Sequence, residues 1–96
     1  MKFIVYIIYS TSTNKYYVGQ TVDLDERLIL HNTGEFSQSY TKPGIPWQLY
    51  HYIECKSKKQ AVSIETHVKR MKSIKYYQSL KNYPEIAEKL LIKYAD

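Results

Sequence analysis

The chain has 96 residues, of which 44% are hydrophobic and 24% charged, so it can form one modest core and is too apolar to stay disordered. Its apolar run from Phe3 to Tyr9 is far too short to span a membrane, and the first residues lack the layout of a signal peptide. The single cysteine, Cys55, excludes an internal disulfide and suits a reducing compartment. We therefore expect one domain over residues 1–96, located in the cytoplasm and without a membrane segment.

The positive charge is concentrated in one stretch of the chain. The formal net charge is +5 and the isoelectric point about 9.2, which favours polyanionic partners. Between Glu54 and Glu85 the only acid is Glu65, and the basic residues of this stretch are Lys56, Lys58, Lys59, Lys69, Arg70, Lys72, Lys75 and Lys81. Such a run is typical first of a solvated helix face, and second of a surface that contacts a phosphate backbone.

Two strands are predicted at the start of the chain. Residues 3–10 and 16–21 are rich in Val, Ile and Tyr, and they flank the polar stretch 11–15. This pattern predicts a β-hairpin with a moderately long turn.

The first helix should follow the hairpin directly. Asp23 suits an N-cap, and Glu26 three residues later completes a capping-box pattern. The helix is expected over residues 24 to about 32, with Gly34 as its stop. Because of three breakers, Pro43, Gly44 and Pro46, residues 33–46 are expected to form a loop.

A third strand is predicted over residues 47–54. Its alternation places four residues on one side, namely Trp47, Leu49, His51 and Ile53. The next helix has Ser57 as N-cap and Gln60 as capping-box partner, and it should run to about Lys72. Its apolar stripe consists of Ala61, Ile64, Val68 and Met71. Further helices are expected over residues 75–81 and 84–94, since Pro84 suits a first helical turn.

The predicted order is strand, strand, helix, strand, helix, helix. A small sheet covered by helices is the economical way to bury these elements, which gives an α/β (α+β) fold. The hairpin makes at least part of the sheet antiparallel.

Glu65 is the polar residue that packing explains least. It lies four residues after Ala61 and three before Val68, which places it at or near the inward face of its helix. A carboxylate there needs a partner. An ion pair with Arg27 or a lysine is the ordinary explanation. The functional alternative is a ligand for a hard cation such as Mg²⁺, which often takes only one or two protein carboxylates.

Arg27 and His31 are four residues apart, so they share one face of the first helix. Two residues at this spacing usually share a helix surface without any functional relation. In a catalytic interpretation, His31 could accept or relay a proton near neutral pH, and Arg27 could bind a phosphate oxygen.

Tyr6 and Tyr17 lie on the two predicted hairpin strands, and Gly19 near the end of the second strand permits close approach of another group. Ordinary strand aromatics are the simplest interpretation for most of the eleven tyrosines. Because the reference pKa of a tyrosine is about 10, a tyrosine can act as a base near pH 7 only with help from another group.

Taken together, these residues resemble the GIY-YIG nuclease superfamily, in particular its small stand-alone members. The resemblance covers roughly residues 3–75, with residues 76–96 as a C-terminal helical extension. It is carried by the order of six features: Ile4-Val5-Tyr6, Tyr17-Val18-Gly19, the segment from Gly19 to Leu28, His31-Asn32, the stretches Ser39-Tyr40-Thr41 and Pro46-Trp47, and Glu65 followed by Lys69-Arg70-Met71-Lys72.

The resemblance implies a three-stranded antiparallel sheet flanked by helices, and metal-dependent hydrolysis of nucleic-acid phosphodiesters. It implies that Tyr6 activates water with His31 as proton partner, although either tyrosine could be the base. Tyr17 would position water or phosphate, Arg27 would stabilise developing charge, and Glu65 would hold one Mg²⁺ or Mn²⁺.

The same resemblance implies a nucleic-acid partner, DNA rather than RNA, and a role in repair or recombination. The contact residues expected are Lys69, Arg70, Lys72, Lys42 and Tyr40. Family enzymes often carry an asparagine after the glutamate helix, for which Asn82 is the candidate. The alternative function is a non-catalytic DNA- or RNA-binding module on the same scaffold. A protein-interaction domain is the third possibility. The oligomeric state stays open.

Overall fold

The computed structural model describes residues 2–34 and 39–96, with the backbone alone of residues 39 and 40. Its elements are β1 (Phe3–Ser10), β2 (Lys15–Thr21), α1 (Leu24–Thr33), a 3₁₀ helix (Ser39–Gly44), β3 (Trp47–Cys55), α2 (Lys58–Met71), α3 (Ile74–Asn82) and α4 (Pro84–Lys93). The predicted three-stranded sheet flanked by helices is confirmed.

The sheet has the strand order β2-β1-β3, and both pairings are antiparallel. The central strand is therefore β1, whose residues 5–8 are all buried. A continuous apolar run is what a strand covered on both faces requires. In this register Tyr6 lies opposite Gly19 on β2 and opposite Tyr52 on β3.

The two faces of the sheet carry separate apolar cores. The larger core lies under α2, α3 and α4 and includes Val5, Ile7, Val18 and Ile53. The smaller core contains Tyr6, Ile8 and Trp47, with Tyr17, Leu24, Leu28 and Ile45 packed against it. Because side chains alternate along a strand, Tyr6 and Tyr17 lie on the same face, the one covered by α1.

The predicted alternation along β3 is wrong in its middle. Ile7 pairs with His51 and Ile8 with Leu49, so Tyr50 is an extra residue in a β-bulge. A bulge shifts the side-chain phase by one residue. Trp47 and Leu49 consequently lie on the face opposite to His51, and Leu49 is 40% exposed.

The predicted helix boundaries hold to within about a residue for α1 and α2, because their caps form. The Asp23 side chain accepts the N–H of Glu26, and Gly34 ends α1 in the left-handed region at φ 76°. In α2 the Ser57 side chain accepts the N–H of Gln60 at 3.0 Å. The Gln60 amide oxygen accepts the N–H of Lys56 rather than that of Ser57, so the reciprocal bond of a capping box is displaced by one residue.

One residue of the predicted α2 stripe is misplaced. Ala61, Ile64 and Val68 are buried, whereas Met71 is 44% exposed because the helix ends there and leaves the sheet. Cys55 is buried in the larger core, and this burial raises the pKa of its thiol. No helix within residues 2–34 and 39–96 is both long and apolar enough to cross a lipid bilayer.

Candidate active site

A hydrogen bond between a phenol and an imidazole lies at the centre of the candidate site. The Tyr6 hydroxyl is 3.0 Å from Nε2 of His31, and each side chain is only 1% exposed. Tyr6 comes from the central strand, and His31 is the buried residue of α1. The predicted partnership of these two residues is therefore present as a direct contact between two elements.

Gly19 makes room for the Tyr6 phenol. A Cβ atom at position 19 would lie 2.5 Å from the Tyr6 hydroxyl oxygen and 2.6 Å from its Cζ. Neither distance is compatible with a real side chain, so the ring can occupy this position only because residue 19 is a glycine. The glycine predicted to permit close approach does so for a neighbouring strand residue.

Asn32 fixes the position of α1 against β3, a role that the sequence analysis did not assign. Its amide nitrogen donates to the Trp47 carbonyl at 2.9 Å, and its amide oxygen accepts the Trp47 N–H. The Trp47 indole in turn donates to the Thr41 carbonyl at 2.7 Å. The sequence offered two signals, the adjacent residues His31-Asn32 and the pair Pro46-Trp47. Nothing in it showed that Asn32 and Trp47 contact each other.

The His31 imidazole is neutral around pH 7. Burial, and to a smaller extent the nearby positive charge of Arg27, lower its pKa to about 4. A neutral imidazole has one nitrogen that can accept a proton. The environment therefore keeps His31 neutral, with one ring nitrogen able to accept a hydrogen bond.

Tyr17 lies between this pair and the surface. Its ring centroid is 5.1 Å from that of His31 and 6.5 Å from that of Tyr6. It is half-buried, whereas Tyr6 is buried. The two phenols and the imidazole thus form one aromatic group on the α1 face of the sheet.

Glu65 joins this group through Lys69. The Lys69 amine is 3.0 Å from the Glu65 carboxylate and 5.9 Å from the centroid of the Tyr17 ring. The carboxylate side chain keeps 17% of its surface exposed and the lysine side chain 49%. The ordinary ion pair foreseen for Glu65 is therefore present, but it is open to solvent and lies on the side of α2 that faces Tyr17.

The donor set suits a hard cation that retains most of its water. Within the described residues, no three His, Cys, Asp or Glu side chains come together in a metal-binding group. The Glu65 carboxylate keeps a solvent opening, and Mg²⁺ is commonly bound by one or two carboxylates plus water. Zinc, which prefers four nitrogen or sulfur ligands, does not fit.

Arg27 lies one helical turn before His31 and is half-buried. It lines a cavity of about 280 Å³ together with Gln20, Thr21 and Lys58. Its charge acts on His31, as the lowered pKa shows. Arg27 is thus placed at the edge of the aromatic group, next to β2.

The expected nucleic-acid contacts divide into different regions. Lys69 reaches the aromatic group, and Lys72 caps the end of α2. The pKa of His67 is lowered by burial and by the charges of Lys93 and Arg70, so Arg70 lies near His67, on another side of α2. Lys42 is exposed on the 3₁₀ helix, and the Tyr40 side chain lies outside the described part of the structure.

Asn82 belongs to α3, the helix whose Leu80 lies in the larger core. It is the last residue of α3, and the preceding Lys81 stacks on Tyr50 of β3 at 4.5 Å. Tyr50 packs against the larger core, whereas Tyr6 and Tyr17 belong to the smaller core on the other face of the sheet, so the role suggested for Asn82 stays a prediction.

Comparisons with known proteins identify the family of this chain. A family model described as the GIY-YIG catalytic domain matches residues 2–83. A UPF0213 protein of Syntrophus aciditrophicus (strain SB) is 33% identical over 81 residues, which cover 84% of this chain and 92% of that protein. A UPF0213 protein of Streptococcus pneumoniae serotype 4 is 39% identical over 57 residues, which cover 59% of this chain and 57% of that protein.

A solved structure shows the same fold. The solution NMR structure of a UPF0213 protein from Bacillus halodurans matches with a TM-score of 0.52 at 30% identity, over 92% of this chain and 94% of that one. The family match includes Tyr6, Tyr17, Arg27, His31 and Glu65, and it confirms the resemblance drawn from the sequence. It indicates a nuclease-type domain that acts on nucleic acid. The chain therefore belongs to the GIY-YIG catalytic domain family.

Proposed function

We propose that this protein is a metal-dependent endonuclease that hydrolyses phosphodiester bonds, with DNA as the preferred substrate and a role in repair or recombination. The observation that carries the proposal is the 3.0 Å hydrogen bond between the buried Tyr6 phenol and His31. A buried phenol paired with a neutral imidazole is a unit that can take up a proton, and here it lies in a domain of a nuclease family.

The Tyr6–His31 pair is proposed to receive the proton of the attacking water. The pKa of His31, lowered to about 4, keeps the imidazole neutral at physiological pH. We assign its proton to Nδ1, so that Nε2 accepts the proton of the Tyr6 hydroxyl. The phenol oxygen can then take the proton of the attacking water while its own proton passes to Nε2 of His31.

Tyr17 and Arg27 are proposed to position the scissile phosphate. The centroid of the Tyr17 ring is 5.1 Å from that of His31 and 5.9 Å from the Lys69 amine. Arg27, with its five N–H donors, can bind two phosphate oxygens at once and stabilise charge that develops on them.

Glu65 is proposed to hold one Mg²⁺ or Mn²⁺ through its solvent-open carboxylate. When bound there, such an ion supplies Lewis-acid stabilisation of the phosphate and of the leaving oxygen. Lys69 would then exchange its ion pair with Glu65 for contact with the substrate, since its stem is flexible and half exposed.

The test is cleavage of branched, nicked, single-stranded and duplex substrates with Mg²⁺ or Mn²⁺. We expect Tyr6→Phe and Glu65→Gln each to reduce cleavage by about 100-fold or more, because each removes one chemical group, while binding changes little. Tyr52→Phe is the matched tyrosine control, since Tyr52 lies beside Tyr6 on β3 but is 46% exposed. Glu88→Gln on α4 is the matched carboxylate control.

The alternative function is a non-catalytic nucleic-acid-binding module. It is favoured by the ion pair between the Glu65 carboxylate and Lys69, because a carboxylate with this partner does not need a metal ion. Binding without metal-dependent cleavage on any of these substrates would establish it and overturn the nuclease proposal. Equal loss of cleavage in Tyr52→Phe and Tyr6→Phe would show that the Tyr6 hydroxyl has no special role.

A further inference from the structure

The helix α2 runs beside the edge strand β2 in the opposite direction. At the start of α2, Lys58 lines a cavity together with Gln20 and Thr21 from the end of β2. After the end of α2, Lys72 lines a cavity of about 340 Å³ together with Lys15 and Tyr16 from the start of β2. Between these ends, Lys69 contacts Tyr17 of β2. The side of the molecule formed by α2 and β2 is termed the α2–β2 edge.

One stripe of α2 faces this edge. Residues 58, 62, 65 and 69 follow one another at spacings of four, three and four, which keeps them on a single side of the helix, and Lys72 follows as the C-cap. The stripe has Lys58 at one end, Lys72 at the other, and Glu65 in the middle. At 1.5 Å per residue it is about 21 Å long, which corresponds to roughly six base-pair steps.

Both ends of the stripe are cationic. Arg27 joins Lys58 in the first cavity, and Lys15 joins Lys72 in the second. None of the described residues that line either cavity is acidic. The ammonium groups of Lys15 and Lys72, which line one cavity, repel each other, and an anion that binds between them removes this repulsion.

Other lysines of the chain are engaged elsewhere. Lys2 pairs with Glu54 at 3.3 Å, and Lys81 and Lys93 stack on the rings of Tyr50 and Tyr94. The basic stretch seen in the sequence is thus divided by the fold, and only part of it lies along the α2–β2 edge.

We propose that one nucleic-acid strand lies along the α2–β2 edge, with one backbone phosphate bound by Arg27 and Lys58 and another bound by Lys15 and Lys72. The Lys15–Lys72 cavity is then a phosphate subsite at a distance from the reacting bond. The inference rests on the proposed function, because the strand it describes is the substrate of the Glu65 site. It deepens that function by giving the path and length of the bound segment.

The test is the salt dependence of binding, measured in EDTA by fluorescence anisotropy with a labelled DNA duplex longer than the contact segment. The full chain is compared with the double variant Lys15→Gln, Lys72→Gln and with a control of equal charge loss on α4, Lys89→Gln, Lys93→Gln. Each phosphate that is no longer neutralised should lower the slope of log affinity against log salt by about 0.9. Because Lys15 and Lys72 bind the same phosphate in this proposal, we expect a decrease of about 0.9 in the first variant. The control should keep the native slope.

The possible results separate the two proposals. A steep native slope that is unchanged in Lys15→Gln, Lys72→Gln, or lowered equally in the control, overturns the subsite and leaves the nuclease proposal intact. Failure of the native chain to bind any nucleic acid overturns both. Circular dichroism of each variant checks that these exposed substitutions leave the fold unchanged.

Discussion

At the scale of single residues, the position of the Tyr6 hydroxyl depends on an absent side chain. Gly19 lies directly opposite Tyr6 in the β1–β2 ladder, and its missing Cβ leaves the space that the phenol fills. The hydrogen bond to His31 therefore depends on the residue across the strand as well as on its two partners. A glycine usually weakens a strand, and at this position it provides the space that the Tyr6 phenol occupies.

We expect Gly19→Ala to destabilise the fold by about 1–3 kcal/mol, because the added methyl group overlaps the Tyr6 ring. Displacement of the ring should also lengthen the contact with His31, so cleavage should fall more than binding. Urea unfolding gives the stability change, and cleavage assays under folded conditions give the rate.

The unfolding free energies of Tyr6→Phe, of Gly19→Ala and of the double variant show whether the two positions are coupled. The methyl group would also overlap Cζ, so loss of the hydroxyl should not restore stability. Because both changes disrupt the same hydrogen bond to His31, the double variant should lose less stability than the sum of the two single losses. An additive pair of effects, or a Gly19→Ala protein as stable as the native one, would contradict this account of the glycine.

At the scale of elements, α1 and α2 differ in how firmly they are attached. Four residues of α2 are buried, namely Gln60, Ala61, Ile64 and Val68, whereas His31 is the buried residue of α1. Leu24 and Leu28 are only half-buried against the smaller core, and Ile29 is 60% exposed. The helix that carries Arg27 and His31 is therefore the more weakly held of the two.

Amide hydrogen exchange should accordingly be faster in α1 than in α2 under native conditions. A helix with few buried apolar contacts opens locally at a lower free energy than one in the main core. NMR-detected exchange of the backbone amides of residues 24–33 and 58–71 measures the difference. Equal protection factors in both helices would mean that α1 opens only when the whole domain unfolds.

The sequence predicted elements better than contacts. Helix ends were predictable because Asp23, Gly34 and Ser57 act through bonds to residues nearby in the chain. The bulge at Tyr50 was not, since it arises from pairing with β1 and has no local signature. The roles suggested for Tyr6 and His31 came from resemblance to a family. Their 3.0 Å contact needed the register of β1 and the placement of α1.

Asn32 shows the same limit. Its two bonds to Trp47 join residues that are fifteen positions apart, and an asparagine near a helix end has many other possible uses. The division of the basic stretch between the α2–β2 edge and the rest of the surface likewise required the packing of α2 on the sheet.

At the scale of the whole molecule, the three histidines act together on stability. Burial lowers the pKa of His31, His51 and His67, and neighbouring cations, which differ from one histidine to another, add to the effect. In the unfolded chain each histidine takes up a proton near pH 6.5. Below that pH the unfolded state binds more protons than the folded state, so stability must decrease as the pH falls.

We therefore expect the urea midpoint to be constant above about pH 7 and to fall as the pH approaches 4. His31, with its pKa of about 4, should account for roughly 3 kcal/mol of this loss. Titration of the histidine ring signals by NMR identifies His31 as the group that protonates last. A midpoint that does not change between about pH 7 and pH 5, or a His31 signal that titrates near 6.5, would contradict the prediction.

The central position of β1 has a consequence for the order of events during synthesis. Its first neighbour, β2, follows at once, but its second neighbour is made only when Trp47–Cys55 has left the ribosome. Until then the nascent chain exposes an unpaired strand edge, which is the kind of surface that associates with other chains. Tyr6, Tyr17 and His31 are also synthesised well before Glu65. An incomplete chain therefore carries the proposed proton-transfer residues before it has the proposed metal ligand.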